Sequence, residues 1–269
     1  MIYKSLYFYN ADVFLSMVSA HPETFGNNVL RIYLPYKAFT ENSVKEAINK
    51  LSCEKVAVLP YINKGNSRKD FAEKFNALCE TADGFMIGNI GDISFLSKFF
   101  NTDLIGLASE MNNHGKILCG DYSLNAFNAE SAAVWAASGL NTITISPEPE
   151  AAEQLRLANA FCKLQSGISG KANHILPEII ADGRIIVMRS EHCFITDSPK
   201  YHCGKCGKNG NAGYTLTDNA GNVFPLIGLP LDCQNLVLSA KNIEITEEYA
   251  KKHISGDCIL RYNILNDYR

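Results

Sequence analysis

Four cysteines between Met188 and Lys241 have the type and spacing to hold a metal: Cys193, Cys203, Cys206 and Cys233. Cys203 and Cys206 stand in C-G-K-C-G, where Gly204 and Gly207 allow the tight turn that brings two thiolates onto one ion. Lys200, Lys205 and Lys208 lie close in sequence and favour thiolate over thiol. The expectation is a four-cysteine centre, either a 4Fe-4S cluster or zinc. The rival is a redox dithiol at Cys203 and Cys206, with Cys193 and Cys233 simply buried. A thioredoxin-type pair opens a helix after a strand, whereas this pair sits in a polar, glycine-rich stretch.

A second set of residues follows the ends of apolar runs. Asn89 comes first, then Asp121, Ser123, Asn125 and Asn128, then Glu148, and finally Arg189 and His192. In a parallel barrel, polar residues just past the strand ends collect at one face. Asp121 and Glu148 would be an acid–base pair if burial separates their pKa values; the competing role for Asp121 is to cap the next helix. Arg189 would clamp a carboxylate or phosphate, or else pair structurally with Glu191 or Glu178. His192 is a general base or metal ligand, against a surface or supporting role. Asn89, Ser123, Asn125 and Asn128 are candidate substrate contacts. Asn89, Asp121, Asn125, Glu148 and Arg189 are expected in one cleft. No G-x-S-x-G elbow and no H-E-x-x-H occurs. Lys200, Tyr201, His202, Lys205 and Lys208 form a basic, aromatic patch that either touches RNA or is solvated.

Alternating strand and helix patterns would position these groups. Residues 3–9, 29–34, 55–59, 84–88, 116–119, 141–145 and 184–188 read as strands, several ended by proline or glycine. Between them lie helical stretches at 11–20, 43–51, 67–80, 93–100, 129–138 and 150–163, the third with its stripe at Phe71, Phe75 and Leu78. A βα period of about 25–30 residues is that of a parallel sheet. The expected fold class is α/β: an open or incomplete parallel (β/α) barrel over 1–190, then a small β-rich appendage over 191–269. Within the appendage, 214–217 and 223–227 flank D-N-A-G-N as a hairpin, 235–240 is a strand, Thr246 caps a short helix, and 258–265 is a last strand. No G-x-G-x-x-G follows the first strand, so a dinucleotide fold is not indicated.

The chain has 269 residues, 46% of them apolar, enough for a sizeable core. A net charge of −3 gives no global field toward DNA or an anionic membrane. Nine cysteines, with Cys53, Cys79, Cys119 and Cys162 inside apolar stretches, fit a reducing, cytoplasmic setting. No run of ~18 apolar residues is present, so no membrane span is expected, and the start lacks the pattern of a signal peptide.

These stretches resemble the collagenase-like peptidases, family thirty-two of the peptidases of unknown catalytic type. The matching pieces are G-N-I-G-D at 88–92, G-D-Y-S-L-N-A-F-N at 120–128, T-I-S-P-E-P at 144–149, E-I-I-A-D-G-R-I-I-V-M-R-S-E-H-C at 178–193, V-F-P-L at 223–226 and D-C-Q-N-L-V-L-S-A-K at 232–241. The resemblance implies a barrel-like core and either peptidase activity or oxygen-independent hydroxylation of RNA bases or quinone precursors. It implies a 4Fe-4S cluster on Cys193, Cys203, Cys206 and Cys233, a peptide, RNA or small aromatic substrate, and a partner protein of the same family. The family's A-P-A-G opening is absent, so its first strand unit is expected to be missing. Asp182 stands where the family has a histidine before Gly183. A non-catalytic module with structural zinc is the remaining alternative.

Overall fold

The computed structural model describes residues 1–26, 28–103, 106–166, 175–195 and 214–265. The expected ligands Cys203 and Cys206 and the basic patch around them lie outside these residues. The strands are β1 (Ile2–Phe8), β2 (Val29–Pro35), β3 (Glu54–Val58), β4 (Gly84–Ile87), β5 (Ile117–Gly120), β6 (Thr142–Thr144) and β7 (Leu176–Gly183), then β8 (Ile186–Ser190), β9 (Thr215–Thr217), β10 (Val223–Leu229), β11 (Gln234–Leu238), β12 (Ile243–Glu244) and β13 (Cys258–Ile264). The helices are α1 (Ala11–Ala20), α2 (Asn42–Ile48), α3 (Gly65–Thr81), α4 (Ile90–Phe99), α5 (Leu107–Asn113), α6 (Ala129–Ala137), α7 (Ala151–Ser166) and α8 (Glu247–His253).

Eight parallel strands close into a barrel in the order β1–β2–β3–β4–β5–β6–β7–β13, with β13 returning to β1. The α/β barrel followed by a small β-sheet is therefore present, and the barrel is complete rather than open. Two strands account for the difference. β7, inside the motif E-I-I-A-D-G, supplies the seventh stave. β13, expected in the appendage, inserts between β7 and β1 as the eighth. The run at 184–188 does not join the barrel: β8 pairs antiparallel with β11 in a second sheet, order β8–β11–β10–β9. Successive barrel strands are joined through helices, as a right-handed parallel crossover requires. The two strands of a short antiparallel sheet need only a turn.

Local chemistry explains the helix starts. Asn10 caps α1, Asn89 and Asn128 form reciprocal capping boxes on α4 and α6, and the Thr246 hydroxyl accepts from the Tyr249 amide to start α8. On α3, Phe71, Phe75 and Leu78 face inward, and Phe71 and Phe75 meet Phe85, Phe95 and Phe99 in a run of ring contacts. Among the described residues, no helix is long and apolar enough to cross a membrane.

The turn from β7 toward β8 depends on Gly183. Its φ is +98°, and a Cβ there would lie 2.1 Å from the Asn263 carbonyl oxygen on the closing strand. Gly183→Ala should thus lose at least about 2 kcal/mol of stability, read by chemical denaturation, because both the backbone angle and the closure are opposed.

Candidate functional site

The barrel interior holds charge. Arg31 on β2 is buried, and its guanidinium donates to Glu54 Oε2 (2.9 Å), to Thr142 Oγ1 (2.5 Å) and to Cys119 Sγ (3.0 Å). Glu178 on β7 is fully buried and accepts from the hydroxyls of Ser5 (2.7 Å), Tyr33 (2.9 Å) and Thr144 (2.8 Å). Arg261 on β13 lies 3.5 Å from Glu178 and donates to Asp121 Oδ1 at 2.9 Å. Its guanidinium also stacks over Tyr7, with 4.5 Å to the ring centre. Burial works against the charge on Arg261, but Asp121 and Glu178 outweigh it and push its pKa upward.

Past the strand ends, the small sheet covers the mouth of the barrel. Ile186, Ile227, Leu236 and Leu238 share one buried cluster with Tyr7, Tyr9 and Tyr33. The Tyr122 hydroxyl accepts from the Ile186 amide and donates to its carbonyl, and the Tyr9 hydroxyl donates to the Arg184 carbonyl. A further tie comes from the turn between β10 and β11. Asp232 accepts from the amides of Asn66 (2.9 Å) and Ser67 (2.8 Å) at the start of α3, and from the Ser67 hydroxyl. Burial opposes the Asp232 charge, but the hydrogen bonds from Ser67 and Asn66 hold its carboxyl below the usual range. Gly65, with φ +56°, makes this approach possible: a Cβ there would sit 2.9 Å from Asp232 Oδ1.

The expected site residues separate into groups. Asp121 and Arg189 meet at the mouth, with Arg189 Nη2 3.9 Å from Asp121 Oδ2 and Nη1 donating to the Tyr61 carbonyl. Ser123 joins them by donating to the Gly88 carbonyl at 2.8 Å, and a Cβ on Gly88 would be 3.6 Å from Arg189 Nη1. Asp121 is buried under Arg261 and caps no helix through its side chain. Arg189 pairs with neither Glu191 nor Glu178 among the described contacts; Glu191 pairs with Lys64 instead. Asn89 and Asn128 spend their side chains as helix caps, and Asn125 takes a left-handed turn conformation at φ 57° on the surface. Glu148 is exposed, and no described hydrogen bond or ion pair joins it to Asp121. His192 is exposed, its ring edge-on to Phe194 at 5.2 Å. Cys193 is half-buried and Cys233 buried. Among the described residues, no three His, Cys, Asp or Glu side chains gather as they would around a metal.

Arg261, Glu178, Arg31 and the tyrosines of the mouth were not among the expected site residues. The available signal was a charge in the middle of an apolar strand: Arg31 in V-L-R-I-Y, Glu178 in L-P-E-I-I and Arg261 in I-L-R-Y. Such a charge is expensive to bury alone and therefore implies a partner across the barrel.

No family model and no curated protein matches the chain. Solved structures do. The U32 peptidase Mk0906 is 10% identical at a TM-score of 0.43, over 67% of this chain and 69% of its own. A deoxyribose phosphate aldolase from Aeropyrum pernix is 9% identical at 0.43, over 66% and 74%. A candidate fructose-1,6-biphosphate aldolase from Coccidioides immitis is 12% identical at 0.42, and the chain spans 64% of its length. The likeness is one of barrel fold, shared by many enzymes, and no activity is drawn from it.

Two outcomes follow from the buried network. Arg261→Met leaves Glu178 without its ion-pair partner and Asp121 with only Arg189 at 3.9 Å, and should cost about 3–5 kcal/mol in a denaturant titration. Alkali should also act. Burial pushes the Cys119 thiol up to about 11, with Arg31 pulling the other way, and burial pushes the Tyr61 hydroxyl up to about 12. The folded protein therefore holds these protons more tightly than the unfolded chain. That stability is complete below the ordinary thiol and phenol ranges and is lost as pH rises through about 11 and 12, so the melting temperature should fall across this window.

Proposed function

We propose that this chain is a barrel protein of the collagenase-like peptidase type that holds an iron–sulfur cluster through Cys193, Cys203, Cys206 and Cys233. Its activity would be oxygen-independent hydroxylation of an RNA base or a quinone precursor, with a partner of the same family. The carrying observation is the register of β8 on β11. Ser190 lies opposite Asn235, so the chain beyond Ser190 and the chain before Gln234 leave the sheet at the same end. Cys193 and Cys233 sit on these two segments. The Phe194 amide donates to Asn235 Oδ1 at 2.6 Å and holds the Cys193 segment against the start of β11. The sequence between them carries the other two thiols.

The thiols present suit the group: thiolates are the ligands that iron–sulfur clusters and structural zinc both take. A bound cluster supplies one-electron chemistry. The protein's own part is to anchor two ligands on a sheet fixed to the barrel by Asp232, Tyr122 and Arg189. The hydrolytic alternative needs a carboxylate or activated nucleophile open to a peptide. Asp121 is held by Arg261 and Arg189 beneath the sheet, which favours the cluster reading over peptide hydrolysis.

Anaerobic purification tests this. The expected product is brown, carries about four iron and four sulfide per chain, and bleaches in air. Cys233→Ser should lose the iron while Cys79→Ser, on α3, keeps it. A colourless protein with stoichiometric zinc would select the structural-zinc module instead.

A further inference from the structure

Lys37 stands just past the end of β2, in the short helical turn Tyr36–Thr40, on the face of the barrel where the strand ends gather. It lines a slot of about 80 Å³ together with Tyr36, Leu59, Pro60, Leu229 and Leu231, a mostly apolar wall shared between the barrel and the small sheet. Lys37 is half-buried, so a solute can reach its side chain. The charges around it are matched to one another. On α3, Asp70 pairs with Lys74 and accepts from the Tyr36 hydroxyl at 2.7 Å. In the turn between β10 and β11, Asp232 accepts from the Asn66 and Ser67 amides and from the Ser67 hydroxyl. The Lys37 amine has no hydrogen bond and no ion pair among the described residues. It lies 5.9 Å from the centre of the Tyr36 ring, at the outer limit of a cation–π contact. Burial pushes its pKa down and Lys74 adds to that effect; Asp70 and Asp232, spent elsewhere, pull the other way without outweighing it. A lysine amine that is desolvated and set beside a second cation is activated as a nucleophile toward carbonyl carbon.

We propose that Lys37 is a carbonyl-binding lysine, whose amine forms a Schiff base with a short aliphatic aldehyde or ketone seated in the slot. The neutral nitrogen attacks the carbonyl carbon. The C=O π pair moves to the oxygen, which takes up a proton as the nitrogen gives one up. The carbinolamine then loses water and the C=N bond forms, so amine and carbonyl yield imine and water with no oxidant or reductant consumed. Size sets the class of partner. A closed cavity that holds benzene has about 150 Å³, so a slot of about 80 Å³ has room for two or three carbons and excludes a six-membered ring. The site draws on neither the cysteines nor Arg189, and it stands whether or not the chain holds a cluster.

The test is reductive alkylation of the full chain with acetaldehyde and cyanoborohydride at neutral pH. The borohydride reduces the imine to a stable ethyl-lysine, peptide mass mapping reads the site, and free Nα-acetyl-lysine is the reference. Lys37 should react at least about tenfold faster than the exposed Lys50 and Lys98. Its rate should level off at a lower pH than that of Nα-acetyl-lysine. With benzaldehyde, each rate taken relative to the free amino acid, Lys37 should lose this lead, because the ring does not fit. Lys74→Met removes the neighbouring cation and releases Asp70, so it should slow Lys37 several-fold and raise the pH at which its rate levels off. A thermal melt of this variant checks that it folds; should it not, the pH profile and the benzaldehyde comparison on the unaltered protein still decide. Lys37 reacting no faster than Lys50, a lead that survives the change to benzaldehyde, or a Lys37 rate unmoved in folded Lys74→Met would each overturn the proposal.

Discussion

A carboxylate sealed inside the barrel sets the terms for the rest of the molecule. Glu178 is reached by hydroxyls from β1, β2 and β6 and by the guanidinium on β13, so five strands including its own meet at one group. Ionised and alone in that interior it would be prohibitively expensive. Its partners have to be present together, and they are present together only when the barrel is closed. The second buried arginine repeats the arrangement toward the other end, where Arg31 ties β2 to β3, β5 and β6. A barrel filled with aliphatic layers tolerates a misplaced strand more readily than one whose interior charges must all be matched. The network thus ties strands distant in sequence to one another, and opening any one of them would strand a buried charge.

The same network governs the mouth. In barrels of this architecture, the residues past the strand ends are the usual seat of chemistry. Here Asp121 turns inward to Arg261, Arg189 reaches over it from the small sheet, and Tyr7, Tyr9 and Tyr122 give that sheet an apolar floor with hydrogen-bonding edges. The sheet is held at its far side as well, where Asp232 occupies the start of α3. Cys193 and Cys233 lie just beyond Ser190 and Asn235, which stand opposite one another on β8 and β11 at the rim of that sheet.

Several features were legible in the amino-acid sequence because they rest on short-range physics. The βα period follows from apolar runs broken by proline and glycine. Thr246 reads as a cap because a side-chain oxygen beside a helix start satisfies a nearby amide, and it caps α8. The hairpin around D-N-A-G-N follows from its turn residues, and β9 and β10 do flank it. Asn89 and Asn128 show the limit of such reading: polar residues after strands look alike whether they touch a ligand or cap the next helix, and both cap.

What only the tertiary structure decided is which strands share a sheet and which charges share a cavity. β13 carries the same alternation whether it edges an appendage or closes a barrel; its place is set by Arg261 finding Asp121 and Glu178, which lie 140 positions away in the first case. β8 and β7 are adjacent in sequence, yet one turn at Gly183 sends them into different sheets. Pairings of this kind are long-range, and no local pattern encodes them. The sequence by itself determined the rhythm of strands and helices, the caps and the four thiols. Closure and the covered mouth arise only when distant segments compete for the same buried hydrogen bonds.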